Sequence, residues 1–154
     1  DMYEYIGNIL HEKGDTDGAY AAFDSCLQWK EDNVECLNNY AYYISVSGGD
    51  LSKAEHMSYK TVKAEPTHST FLDTYAWVLF CMERYAEAQI YIEQAIANDT
   101  TNSDVLLDHA GDIYYHTGDK AQALSFWKKA LKHTNDRALQ RKLRRKVACR
   151  RPVP

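Results

Sequence analysis

Leu72-Asp73-Thr74-Tyr75-Ala76-Trp77-Val78-Leu79 places a large residue, a Tyr-Ala pair and a second large residue at offsets of zero, three, four and seven. Leu37-Asn38-Asn39-Tyr40-Ala41-Tyr42-Tyr43-Ile44 repeats that arrangement one interval upstream. Those offsets lie on one face of a helix, so both stretches read as helices that bury the same kind of surface. The pattern extends in both directions, through Tyr3, Ile6, Gly7 and Leu10 at one end and Leu107, Ala110, Gly111 and Tyr114 at the other. Recurrence at a period of roughly 34 residues marks a row of similar units, each packed on its neighbours.

The second half of each unit is equally regular. Gly14-Asp15, Gly48-Gly49-Asp50, Glu83-Arg84 and Gly118-Asp119 mark turns, and Ala19, Ala54, Ala88 and Ala123 follow at matching places. Gly7, Ala41, Ala76 and Gly111 fall where the first helix of a pair meets the second, and the four alanines answer from the second helix. Large residues such as Phe23, Ile92 and Trp127 fill the space between them, the alternation that lets helices interdigitate. This predicts helices over 2–13, 16–29, 33–47, 51–64, 69–82, 85–97, 104–117 and 120–133. Asp15, Asp50 and Asp119 stand where a short carboxylate caps a helix start, and Pro66 ends one. Leu139, Leu143 and Val147 add an amphipathic helix over 135–149, which would cover the last apolar face of the row with Arg141, Arg144 and Arg145 turned to water.

These residues resemble the tetratricopeptide repeat (TPR), whose signature alternates small and large positions across a helix-turn-helix. The resemblance covers nearly everything up to residue 134 and looks closest to bacterial TPR proteins of unassigned role. It implies an all-α fold, a right-handed superhelical stack of four TPR helix-turn-helix repeats plus a C-terminal capping helix. The expected domains are a four-repeat array at 1–134 (repeats about 1–33, 34–68, 69–102 and 103–134), a basic capping helix at 135–149 and a disordered tail at 150–154.

The resemblance also implies a function, protein–protein interaction, with first helices lining a concave groove. Carrying over the family's groove-facing positions gives Glu4, Tyr5 and Asn8 from the first unit and Asn38, Asn39 and Tyr42 from the second. The third unit adds Asp73, Thr74, Trp77 and Phe80, and the fourth adds Asp108, His109, Asp112, Tyr115 and His116. Carboxylates and aromatics dominate, and lysine and arginine are absent. The family's carboxylate clamp needs cations where Glu4, Thr70 and Thr74 stand, so a C-terminal carboxylate would find no counter-charge. The expected partner is a protein or peptide segment, neutral or basic, with apolar anchors. Trp77 and Tyr42 have a plainer reading as covers for neighbouring helices.

Composition narrows the remaining classes. Seven Gly and three Pro in 154 residues are too few breakers for a many-turned β fold. No apolar run approaches the length needed to span a bilayer, so membrane insertion is not expected. The chain opens at Asp1 almost directly into a helical pattern, as a piece of a longer protein would. Cys26, Cys36, Cys81 and Cys149 form no CxxC pair and read as buried or half-buried thiols, a Cys26–Cys36 disulfide being the alternative. No nucleophile–base motif or phosphate loop appears, so neither enzymatic activity nor a cofactor is expected. His109, Asp112 and His116 share a helical face at metal-like spacing, but without thiolates they read as a solvated groove.

Charge is divided along the chain. Residues 1–136 hold all 22 acidic residues against 10 basic ones, a net of −12, while 137–154 carries +8 and no acid. The basic end offers a second class of function, contact with nucleic acid or an acidic membrane surface, or self-association with the tail resting in an acidic groove. Without interleaved aromatics, and beside an acidic body, nucleic-acid binding is the weaker reading.

Overall fold

The computed structural model describes residues 1–154 and contains nine helices. They are α1 Met2–Glu12, α2 Thr16–Trp29, α3 Val34–Ser47, α4 Leu51–Ala64, α5 Ser69–Cys81, α6 Tyr85–Asn98, α7 Asp104–His116, α8 Lys120–His133 and α9 Arg137–Cys149. Each lies within two residues of its expected bounds. Two units are distinguished, Asp1–Pro66 and Thr67–Pro154.

In the first unit α1 pairs with α2 and α3 with α4. The pairs close because one helix yields space to a ring on the other: a Cβ placed on Gly7 would stand 2.8 Å from Cζ of Phe23. Ala19, Phe23, Cys26, Cys36, Ala41 and Ala54 are sealed from solvent around that contact. Cys26 and Cys36 are free thiols, and burial, reinforced by the neighbouring Cys26, drives the Cys36 thiol far above its ordinary value. Backbone N–H groups of Gly18 and Lys53 donate to the side chains of Asp15 and Asp50 at 2.9 and 3.1 Å, so the expected caps are in place.

The second unit pairs α5 with α6 and α7 with α8, and adds α9 against α8. Phe71, Leu72, Ala76, Leu79, Ala88 and Ile92 are buried in its first pair. Trp127 of α8 fills the second pair, where a Cβ on Gly111 would fall inside contact distance of the indole. Leu143 of α9 is fully buried with Leu107, Ala123, Trp127 and Ala130, while Leu139 and Val147 pack at the margin. The apolar stripe of α9 thus covers the end of the row as expected. Where the other turns use glycine, Glu83 takes up the left-handed conformation at φ 61°.

The close approach at Gly111 gives a test of sign. Alanine is the better helix former by up to about 1 kcal/mol, yet the added methyl must displace Trp127, an overpacking that costs about 1–3 kcal/mol. Gly111→Ala is expected to lower the urea-unfolding free energy rather than raise it.

Candidate partner-binding faces

The first-helix faces of the two units differ in how much of their polar surface is already spent. In the first unit Tyr5 is exposed (67 %) and Glu4, Asn8, Asn39 and Tyr42 are half-buried. Asn39 donates from Nδ2 to Glu4 Oε1 at 3.1 Å, and Asn38 donates to Asn39 Oδ1 at 3.3 Å. The Asn8 and Asn38 side-chain oxygens are buried and accept nothing. This face therefore holds a carboxylate, a run of amides and an exposed phenol.

In the second unit the expected groove residues come together, but not as a solvated acidic surface. Asp73, Thr74, Asp108, His109 and Asp112 are all buried. His109 Nδ1 donates to Asp73 Oδ1 at 2.8 Å. Lys146 of α9, only 1 % exposed, reaches Asp108 Oδ1 at 2.7 Å and both oxygens of Asp112 at 2.9 and 3.1 Å. Trp127 Nε1 donates to the same Asp112 at 3.0 Å, and Lys142 stands 4.0 Å from Asp108. The expectation of a solvated His109–Asp112–His116 face is thus corrected, because two of the three are buried and engaged within the protein. No group of three or more His, Cys, Asp and Glu side chains is placed to hold a metal ion.

Burial and pairing set the ionisation of this cluster. Burial alone would lower the His109 imidazole, but Asp73, with Asp108 and Asp112 adding to it, outweighs that and holds it above its ordinary value. Burial pushes the Asp112 carboxyl upward, with Lys146 pulling it back and Asp108 adding to the rise.

What stays accessible is aromatic. Trp77 stacks on two rings, with His109 at 4.1 Å and 18° and Phe80 at 4.6 Å and 17°. Phe80 meets the edge of His116 at 5.1 Å, and His116 stacks on Tyr85 at 4.6 Å. Tyr115 takes the ammonium of Lys120 over its ring at 5.4 Å. Trp77, Phe80, Asp112, Lys142 and Lys146 border a shallow, open hollow of about 300 Å³, which Pro152, Val153 and Pro154 also line. Residues 150–154 form no helix, and Pro152, Val153 and Pro154 lie on the rim of the same hollow as Trp77 and Phe80.

One regularity links both units. Within each unit, neighbouring first helices are joined by a polar pair about one repeat apart in sequence: Glu4 of α1 with Asn39 of α3, Asp73 of α5 with His109 of α7, and Asp108 of α7 with Lys146 of α9. First helices start at residues 2, 34, 69 and 104, and α9 starts at 137. The capping helix therefore stands in the register of a fifth first helix. Sequence reasoning missed Lys146 as a site residue, although a signal was present: it falls three residues after Leu143 and seven after Leu139, on the apolar stripe.

The helix pairs, their small-residue contacts and a polar first-helix face define a helical-repeat scaffold. Residues 1–33 match the family described as tetratricopeptide repeat, and the whole chain shares its fold with solved structures of helical-repeat proteins. A crystal structure of MamA protein aligns with a TM-score of 0.68 at 20% identity, over 97% of this chain and 79% of that one. A tetratricopeptide repeat protein from Parabacteroides merdae gives 0.78 at 18% identity over 96% of this chain, which spans 57% of that protein. PilW, a type IV pilus biogenesis factor, gives 0.79 at 16% identity, over 96% and 69%. At such identities the likeness establishes the fold. No match was found among curated proteins.

Two predictions follow from the buried cluster. Lys146→Met strands two carboxylates without a cation and is expected to cost about 3–5 kcal/mol in urea unfolding. Adding Asp108→Asn and Asp112→Asn should recover much of that loss. The raised His109 value means its contribution is complete below the unfolded histidine's value of about 6.5 and is lost as pH rises through the higher native value. The stability difference between the native chain and His109→Gln should therefore be largest near about pH 6 and shrink toward about pH 9, measured by denaturant titration at each pH.

Proposed function

We propose that this chain is a non-catalytic scaffold whose first-helix faces bind an extended segment of a partner protein, neutral or basic in charge, with apolar anchors. The observation that carries this reading is the Trp77–Phe80 stack bordering an open hollow. Flat aromatic surface at a concave site supplies contact area with little loss of side-chain freedom, which is why Trp and Tyr dominate binding hot spots. The second unit offers the apolar anchor site, because its carboxylates are buried and already engaged by Lys146, His109 and Trp127. The first unit presents a polar face of its own, with Glu4 paired to Asn39 and the exposed Tyr5 next to it, suited to neutral or basic groups. Glu4 on the first-unit face disfavours an acidic segment there.

The outer face of α9 supports a second reading. Arg141, Arg144 and Arg145 are exposed together, a patch suited to a phosphate-rich surface.

Immobilised native chain screened against twelve-residue peptides of graded charge and apolar content tests both. Neutral and basic peptides with aromatic or aliphatic anchors should be retained, and Trp77→Ala should weaken them by about tenfold, equivalent to about 1.4 kcal/mol. Selection of acidic peptides, or binding indifferent to Trp77, would defeat the groove reading. Retention of RNA or anionic vesicles instead, lost in Arg144→Glu/Arg145→Glu, would transfer the function to α9.

A further inference from the structure

One side of the hollow beside Trp77 and Phe80 is lined by the chain's own residues 152–154. Helix α9 ends at Cys149, and Arg150 turns into the left-handed conformation at φ 55° and ψ 37°, donating its N–H to Lys146 O. Arg151 N–H bonds to the same carbonyl at 3.3 Å. This cap reverses the chain and brings Pro152-Val153-Pro154 alongside the stack. Pro152 and Val153 are half-buried, while the charged Arg150 and Arg151 remain exposed. Apolar residues at the end of a highly charged helix gain shelter from a surface of matching character, and the apolar rings bordering the same hollow are those of Trp77 and Phe80.

We infer that residues 152–154 are an intramolecular ligand for the Trp77–Phe80 surface. The natural partner of that surface is then an extended proline-containing segment that displaces them. The inference rests on the reading of the groove given above and names both its ligand class and its regulation. Three physical points support it. Proline is held near the extended polyproline conformation, so a Pro-Val-Pro segment loses little freedom on docking, and proline-rich segments are commonly received by aromatic-lined grooves. The seat needs no counter-charge from Asp112, whose carboxylate is taken by Lys146 and Trp127, which fits a ligand without charge in its docking portion. The tether is only a few residues long, so the local concentration of the segment is on the order of millimolar and a weak contact suffices to keep the site filled.

Occupation in cis lowers the apparent affinity for any outside segment by the fraction of sites left open. The test compares the full native chain with a full-length variant carrying Pro152→Gly, Val153→Gly and Pro154→Gly, which keeps the tether and the buried cluster. The probe is the synthetic peptide Arg-Arg-Pro-Val-Pro, followed by the indole N–H resonance of Trp77, assigned by Trp77→Phe. The Trp77 resonance is expected to differ between the two chains before peptide is added. The peptide should then move it in the glycine variant at a concentration about tenfold lower than in the native chain. Identical Trp77 resonances in the two chains would overturn the inference. Equal affinity of both chains for a peptide from the screen, lost in Trp77→Ala, would also overturn it while leaving the partner-binding reading of the groove intact.

Discussion

Two helices approach closely only where one of them gives up its side chain, and every pair in this protein is organised around such a surrender. Gly7 receives the ring of Phe23, and Gly111 receives the indole of Trp127. Around these points Ala19, Ala41, Ala76, Ala88 and Ala123 are excluded from solvent entirely. Because a close-packed interior tolerates neither a void nor an extra methylene, the small residues fix the register of each pair. That register decides which side chains of the first helices remain on the open face, so the binding chemistry depends on residues that touch no partner.

Polar contact along the open face adds a second kind of order. A carboxylate on one first helix meets an amide, an imidazole or an ammonium on the next. Where the pair is buried the link is demanding, since a carboxylate deprived of its partner inside the protein is costly. Lys146 shows the principle at its strongest, with two carboxylates and the indole of Trp127 gathered around one ammonium. Helix α9 is consequently held by charge as well as by Leu143, and it stands in the place where a further first helix would stand.

The fold was legible because packing leaves a periodic trace: small residues at fixed offsets, glycine-aspartate turns and large residues at helical spacing. The candidate site was legible only in part. Trp77 and Phe80 were found because groove positions recur with the repeat, and the structure brings them together as a stack. Asp108 and Asp112 were found for the same reason, but repeat offsets do not tell which carboxylates meet a cation inside the protein. That depends on where α9 lies, and nothing in a pattern of offsets weighs desolvation against pairing. Lys146 looked like one more residue of a solvated basic helix, although its place on the stripe of Leu139 and Leu143 should have separated it from Arg144 and Arg145. Residues 152–154 lacked any periodicity, so composition alone suggested disorder.

The position of Trp77 against His109 has a consequence for selectivity. The imidazole lies on the indole at 4.1 Å and is biased toward its charged form by the carboxylates beneath it. A cation held on an electron-rich ring uses the attraction that a second cation would need. If the stack receives a partner as proposed, an ionised imidazole would leave it better suited to greasy, uncharged groups than to lysine or arginine, and loss of that proton would relax the bias.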